Sequence, residues 1–257
     1  IGLIHEYLTP LIGDCAMIHS YEHHYGYVYK DMREHMAKAR RNIKPLIRMI
    51  KEDPTNLHWC SQLVQEYMAC RLDSNLYSFC GQVLEKIDKI DDPEINRVRA
   101  DFYCGRLVAS NGLYDYDGTI KDFNIFRKDR RNNEICMANL YFLVVIAYFQ
   151  QKDFSHVINY GHKYLDIYEK WKDYDDLSER LNSVGSLTTK YIFGKKKIIT
   201  LVGLVISAGI EEKETDDLFR YFDILSDLYS DGSQYEFTWG ETINAISEFE
   251  YDDRFVR

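Results

Sequence analysis

The apolar residues over most of this chain recur with the spacing of amphipathic helices. From Met32 to Ile50 they follow in steps of four and three: Met32, Met36, Ala39, Ile43, Leu46 and Ile50. Steps of this size place the residues on one helical face. Pro45 lies inside the segment and should kink the helix or divide it, because proline lacks the N–H that a helix interior needs. Pro54 should end it.

After Pro54 a longer unit recurs: a helix, a small polar turn, a second helix, and an acidic or proline-containing break. The pattern predicts the pairs 57–71 with 76–90, 94–109 with 113–128, 134–150 with 154–171 and, less regularly, 198–208 with 217–229. Leu76, Leu113 and Phe154, which follow successive turns, lie 37 and 41 residues apart. This drifting period is similar to that of tetratricopeptide repeats, about 34 residues.

One helix hairpin cannot bury its apolar face alone, so hairpins of this kind stack on one another. We therefore expect a mostly-α fold over residues 31–257, a right-handed tetratricopeptide-like α-α superhelix, with a poorly periodic stretch at 174–194 and a capping helix and tail at 230–257. Small residues near the end of each first helix should allow close approach, and aromatic residues should fill the space between layers: Ala69, Ala109, Ala147, Tyr67, Tyr103 and Tyr148.

Residues 1–30 do not fit the helical array. The segment 23–29 alternates and is rich in Tyr and His, which is typical of strands or an extended edge. We interpret residues 1–30 as a short extended remnant, the tail end of a preceding domain.

Composition narrows the class of protein. The chain has 257 residues, 46% of them hydrophobic, enough for one large domain with a buried core. A net charge of −9 argues against nucleic acid as a partner, because a backbone binder needs a basic face. The six cysteines include no CxxC pair and are expected to be thiols in a cytoplasmic protein. The apolar run 198–210 would span about 20 Å as a helix, too short for a bilayer core of about 30 Å, so we expect no membrane span.

An ordered series of short motifs carries a family resemblance. It comprises Ile4-His5-Glu6-Tyr7-Leu8, Ile18-His19, His24-Tyr25-Gly26-Tyr27, the helix segment Lys38 to Ile43 with Arg41-Asn42, Pro54 and Gln65-Glu66-Tyr67. The series resembles bacterial family-2 glycosyltransferases, in which a nucleotide-sugar-binding α/β domain is followed by tetratricopeptide-like repeats. The resemblance covers residues 4–72.

The resemblance implies a parent enzyme that transfers a sugar from a nucleotide-sugar donor, with a divalent metal held by an Asp-x-Asp motif upstream of Ile1. By this interpretation residues 1–30 end the catalytic domain, and the present chain lacks the donor-binding core, binds no cofactor and is inactive alone.

Three residues are candidates for chemistry in such a parent. The His5-Glu6 pair is predicted to lie on the acceptor side of the active site, where a carboxylate would deprotonate or orient an acceptor hydroxyl. His24 is the candidate metal or diphosphate ligand. A metal site needs three or four converging ligands, so a structural role for His24 stays open.

Other motifs have ordinary interpretations. Asp115-Tyr116-Asp117 spells Asp-x-Asp, but it stands at a predicted helix start, where carboxylates favour the positive end of the macrodipole. The basic clusters 127–131 and 195–197 are interpreted as solvated helix ends. The 21 Tyr and 13 Phe favour packing between helices, and stacking on sugars or peptides is the alternative.

The direct role predicted for the chain is recognition, with an acceptor protein, a glycan or a partner subunit held in a groove of the repeats. Two alternatives remain open at this stage. One is a stand-alone adaptor for protein–protein interaction, and the other is a regulatory repeat protein that binds signalling peptides.

Overall fold

The structure, a computed structural model, describes residues 32–129, 134–172, 193–214 and 218–229. These ranges contain nine α-helices and no strand, which confirms the mostly-α prediction. The helices are α1 Met32–Glu52, α2 Leu57–Ala69, α3 Asp73–Ile87, α4 Pro93–Gly112, α5 Tyr116–Phe126, α6 Glu134–Gln150, α7 Phe154–Trp171, α8 Lys195–Glu212 and α9 Leu218–Tyr229. The extended N-terminal remnant and the segments 174–192 and 230–257 lie outside the described residues.

The helices form an array of stacked hairpins. Each helix from α1 to α7 packs on the next, as does α8 on α9 and α7 on α8. In addition, α2 packs on α4, α4 on α6, and α6 on α8, so these four helices form a continuous inner layer. The hairpins are α2/α3, α4/α5, α6/α7 and α8/α9, the same four pairs that the periodicity predicts. The right-handed sense of the array stays a prediction.

The first helix of each of the four hairpins ends in the same way. A residue that follows it adopts left-handed backbone geometry, with φ of 52° at Arg71, 61° at Tyr114, 59° at Lys152 and 59° at Lys213. The N–H of the following residue then bonds the carbonyl five residues back, as in a Schellman motif. These bonds are Leu72 to Tyr67 at 3.0 Å, Asp115 to Ser110 at 2.8 Å, Asp153 to Tyr148 at 3.0 Å and Glu214 to Gly209 at 2.9 Å.

Side-chain caps explain where several helices begin. The carboxylate of Asp92 accepts hydrogen bonds from the first N–H groups of α4, where Pro93 occupies the first helical position. Asp115 caps α5 and Asp153 caps α7 in the same way. The first two turns lie at 70–72 and 113–115, whereas the sequence placed them at 72–75 and 110–112. The predicted and observed turn positions differ because the polar residues used for the prediction indicate where helices are capped, whereas the turn itself is set by the residue with left-handed geometry.

The hydrophobic core lies along the inner layer of helices. Helix α6 is apolar on nearly every face and is buried on most of them, as expected for a helix with neighbours on all sides. The predicted packing aromatics Tyr67, Tyr103 and Tyr148 are buried, as are Ala109 and Ala147. Ala69 is only half-buried.

Helix α1 continues through Pro45 without division. Of the two outcomes predicted there, a kink or a division of the helix, the division is therefore wrong. The N–H that proline lacks would have bonded the carbonyl of Arg41. Arg41 lies on the exposed side of α1, where water can satisfy that carbonyl, so the helix can continue past the proline.

The predicted buried helix 198–210 is confirmed as the centre of α8. Its apolar residues pack among α6, α7 and α9. Among the described residues, none of the helices is both long enough and apolar enough to pass through a bilayer.

Candidate functional site

The predicted catalytic residues His5 and Glu6 and the predicted metal ligand His24 lie outside the described residues. Their roles therefore stay predictions, and the candidate site described below consists of residues in the helical array.

Asp115-Tyr116-Asp117 has the structural role that its position at a helix start indicates. The Asp115 carboxylate accepts a hydrogen bond from the Gly118 N–H at 3.0 Å. The Asp117 carboxylate accepts one from the Gln151 side chain at 2.7 Å, which joins α5 to the next hairpin turn. In the ranges that the structure describes, no cluster of three or more His, Cys, Asp or Glu residues is arranged to hold a metal ion.

Two segments that carry the family resemblance meet at the interface of α1 and α2. The Asn42 side-chain amide donates a hydrogen bond of 2.8 Å to the Glu66 carboxylate. Nearby, the Cys70 thiol lies 3.7 Å from the Met36 carbonyl oxygen. These two polar contacts hold α1 against the first hairpin.

A chain of polar side chains crosses the inner layer from α8 to α4, and we call it the polar track. The Lys197 ammonium donates to the Asn139 side-chain oxygen at 2.6 Å, and the Asn139 amide donates to the Cys104 sulfur at 3.0 Å. The ammonium also lies 5.1 Å from the centre of the Phe142 ring. Three successive hairpins are thus connected by one polar path within an apolar layer.

Burial sets the charge state along the polar track. It raises the pKa of the Cys104 thiol to about 12, although Lys197 acts in the opposite direction and Asp101 adds to the rise. The thiol is therefore neutral near pH 7 and is a poor nucleophile. Burial lowers the pKa of Lys197, while Cys104 opposes the decrease. An ammonium beside an aromatic face is suited to bind a hydroxyl, carbonyl or carboxylate oxygen.

A cluster of aromatic rings fills the space between α5, α6 and α7. Tyr160 stacks on Tyr141 and on Tyr148, in both cases with ring centres 5.7 Å apart, and Phe123 meets Tyr160 edge-on at 5.0 Å. His156 stacks on Tyr148 at 4.6 Å. Phe123, Tyr148 and Tyr160 are buried. These rings pack against one another, in agreement with the structural interpretation of the aromatic content.

The two basic clusters differ in environment. Lys128 and Lys196 are exposed, as expected for solvated helix ends. Lys197 is not solvated in this way, because the third residue of α8 faces α6 and its ammonium reaches Asn139. Arg130 and Arg131 lie outside the described residues.

Two arginines of α4 form ion pairs that the sequence analysis missed. Arg106 donates two hydrogen bonds to the Asp122 carboxylate, at 2.8 and 3.1 Å, and one to the Tyr77 hydroxyl at 2.9 Å. Arg99 donates to Asp88 at 3.3 Å and to Asp129 at 2.5 Å. Both arginines hold α3 and the end of α5 against α4. Their spacing of seven residues on one helix was the available signal.

Comparison of the chain with protein-family models, with curated proteins and with solved structures gave no match. The motif series given above is therefore what supports the family resemblance.

Proposed function

We propose that the chain is the C-terminal helical-repeat region of a bacterial family-2 glycosyltransferase and that its inner layer binds the acceptor or a partner subunit. The observation that carries the proposal is the hydrogen bond between Asn42 and Glu66. It joins two of the motif segments of the resemblance that fall in the described residues, Lys38 to Ile43 and Gln65 to Tyr67. Such a joint would hold the repeats at a fixed position relative to a preceding catalytic domain.

The polar track supplies the binding chemistry for the acceptor in this proposal. The Lys197 ammonium uses one donor on Asn139 and retains others for a ligand. The adjacent Phe142 ring offers an apolar face of the kind on which sugars and peptides stack. A glycan hydroxyl or a peptide carboxylate fits this pair of groups.

The remaining parts of the reaction belong to the parent enzyme. His5 and Glu6 would act on the acceptor side, and His24 would lie near the metal and the nucleotide sugar. The cytoplasm is the proposed compartment, because the five described cysteines are buried thiols that form no disulfide, a state that a reducing environment preserves.

The reading frame upstream of Ile1 provides the first test. We expect it to encode an α/β domain with an Asp-x-Asp motif after a strand. A frame that begins close to Ile1, with no such domain, would contradict the proposal and favour the stand-alone adaptor.

Isothermal titration provides the second test, with UDP-glucose, UDP-N-acetylglucosamine and GDP-mannose as probes. We expect the full-length protein to bind one of them and the isolated chain to bind none. Micromolar binding to the isolated chain would refute the view that the donor site lies upstream.

A matched pair of variants tests the role of the polar track. In the full-length protein, Lys197→Gln should reduce sugar incorporation into acceptors of a host-cell extract about tenfold, because it removes a charged donor. Lys196→Gln, on the same helix turn but exposed, should leave incorporation unchanged. Donor hydrolysis without extract should be equal in both. Equal incorporation by the two variants would exclude the track from acceptor binding.

A further inference from the structure

The first helix of the array carries a charge opposite to that of the chain. Helix α1 contains seven basic side chains and two acidic ones, which gives it a net charge of +5. Because the whole chain carries −9, the residues outside α1 together carry −14. Positive charge is therefore concentrated in one helix at one end of the described array.

Six of the basic side chains of α1 lie along one face. At 100° per residue they fall within an arc of about 100°, and at 1.5 Å per residue they extend over about 27 Å. All six are exposed. We call this set the basic stripe: Arg33, Arg40, Arg41, Lys44, Arg48 and Lys51.

The opposite face of α1 is already occupied. Ala39, Leu46 and Met49 are buried, and the helix packs on α2. The apolar face of this amphipathic helix is therefore not available for insertion into a bilayer. The basic stripe faces solvent, and the carboxylates Glu34 and Glu52 are also exposed on α1.

Three of the six side chains of the stripe form no ion pair with a carboxylate of the described residues. Arg48 pairs with Glu52 at 2.9 Å, and this pair is highly exposed, so it contributes little. Arg41, Lys44 and Lys51 form no ion pair within the part of the chain that the structure describes. Their charges are available to a partner.

We propose that the basic stripe docks the protein on an anionic membrane surface, with α1 lying on the lipid headgroups and the acidic remainder of the array facing away. Charge complementarity between the stripe and anionic lipids carries the proposal. At physiological salt the Debye length is about 8 Å, so the acidic helices beyond α1 are largely screened from the surface. This inference does not depend on the proposed function.

Other partners fit the stripe less well. A specific protein interface has a buried apolar or aromatic centre, whereas the stripe contains no aromatic residue and no large apolar one. A nucleic-acid groove surrounds a helix, but one face of α1 packs on α2. A planar anionic surface needs only the exposed face.

Vesicle co-sedimentation tests the proposal with the full chain. We expect binding to vesicles of phosphatidylglycerol and phosphatidylcholine, no binding to phosphatidylcholine alone, and loss of binding as NaCl rises from about 0.05 M to about 0.5 M, because the attraction is electrostatic. Failure to bind the anionic vesicles, or binding that persists at high salt, would overturn the proposal.

A pair of triple variants locates the binding. Arg41→Gln, Lys44→Gln and Arg48→Gln together should lower the partition coefficient at least about tenfold, while glutamine preserves helix propensity. The control, Lys89→Gln, Lys121→Gln and Lys172→Gln, changes exposed lysines outside α1 by the same total charge and should bind like wild type. Circular dichroism confirms that each variant is folded.

Equal loss of vesicle binding in the two triple variants would show that net charge, not the stripe, controls binding, and would overturn the proposal. A duplex DNA of about 20 base pairs is the competing probe. If the chain binds DNA through the stripe and ignores anionic vesicles, the membrane assignment is wrong.

Discussion

The arginines of α4 and those of α1 have the same chemistry but opposite environments. The side chains of Arg99 and Arg106 are 1% and 22% exposed and hydrogen-bond to aspartates of neighbouring elements, whereas that of Arg48 is 74% exposed. Helix α4 has neighbours on several sides, while α1 packs on α2. Position in the array therefore decides whether a charge stabilises the fold or is available to a partner.

The difference is visible in the protonation of the buried pair. Burial alone would lower the pKa of Arg106, but the charge of Asp122 and the contact with Tyr77 outweigh it, so the pKa is raised. Burial also raises the pKa of Asp122, and Arg106 opposes that rise. Each partner thus favours the charged form of the other, and removing one leaves an unpaired buried charge.

The largest expected effect comes from breaking this pair. Arg106→Leu should lower the free energy of unfolding by about 3–5 kcal/mol, because Asp122 is left buried without its partner. Arg48→Leu in α1 should change it by less than about 0.5 kcal/mol, as is usual at an exposed position. Urea denaturation followed by circular dichroism measures both.

A double variant separates the cost of the unpaired charge from the cost of lost side-chain packing. Arg106→Leu with Asp122→Leu should recover most of the loss, because no unpaired charge remains. If Arg106→Leu and Arg48→Leu had equal effects, the distinction between central and terminal arginines would not hold.

The second effect concerns the close packing of α4. A Cβ added at Gly105 would lie 2.7 Å from the Cys80 sulfur and 3.0 Å from a Val64 methyl, both closer than normal contact. Gly105→Ala should therefore cost about 1–3 kcal/mol through overpacking. Thermal unfolding monitored by circular dichroism provides the measurement.

Gly81→Ala is the matched control, because its nearest contact would be an ordinary 3.6 Å to Arg106. This substitution in a helix interior should stabilise by up to about 1 kcal/mol. A loss at Gly81 as large as that at Gly105 would mean that the two helices tolerate an added methyl group equally.

The sequence predicts the helix pairs well because their apolar faces repeat with a helical period. Each predicted pair corresponds to an observed hairpin, and the apolar run in α8 is buried as expected. The turns are less well predicted. Arg71 and Tyr114 occupy left-handed positions where glycine or asparagine would normally be the signal, so residue type does not mark them.

The candidate site is harder to predict from sequence. The pairing of Asn139 with Lys197 joins residues that are 58 positions apart, and it depends on the packing of α6 on α8. The basic stripe was within reach of sequence reasoning, because placing α1 on a helical wheel is enough to collect its six side chains on one face. The predicted residues His5, Glu6 and His24 remain untested.

A third, smaller effect on stability comes from glycine substitutions in the hairpin turns, and it should be the same in the hairpin near α1 and in the central hairpin. Tyr114→Gly and Arg71→Gly each place glycine at a left-handed position, φ 61° and 52°, and should each stabilise by about 1 kcal/mol at most. The backbone strain at a left-handed residue is local, so the hairpin near α1 and the central hairpin should respond alike. Chemical denaturation of both variants checks this, and a gain at only one would show that the turns are not equivalent.

The smallest effect extends the comparison to the carboxylates. Burial tends to raise the pKa of Asp153, but hydrogen bonds from the side chain and backbone of His156 outweigh it, so the pKa is lowered. The folded state therefore binds a proton less readily than the unfolded state, and the stabilisation from Asp153 is present above its unfolded pKa and is lost as the pH falls through the folded value. For Asp122 the pKa is raised, so the sign is reversed.

Asp153→Asn keeps a good helix cap and removes only the charge. Relative to this variant, wild type should be more stable by about 0.5 kcal/mol at pH 6, and the difference should decrease as the pH falls below about 4, through the lowered pKa of folded Asp153. The double variant Arg106→Leu with Asp122→Leu should show the opposite trend. As the pH falls from about 6 to below about 4, wild type should become more stable relative to this double variant. Unfolding curves at four pH values measure both differences. If the two had the same sign, the contrast between the buried carboxylate and the half-exposed one would be wrong.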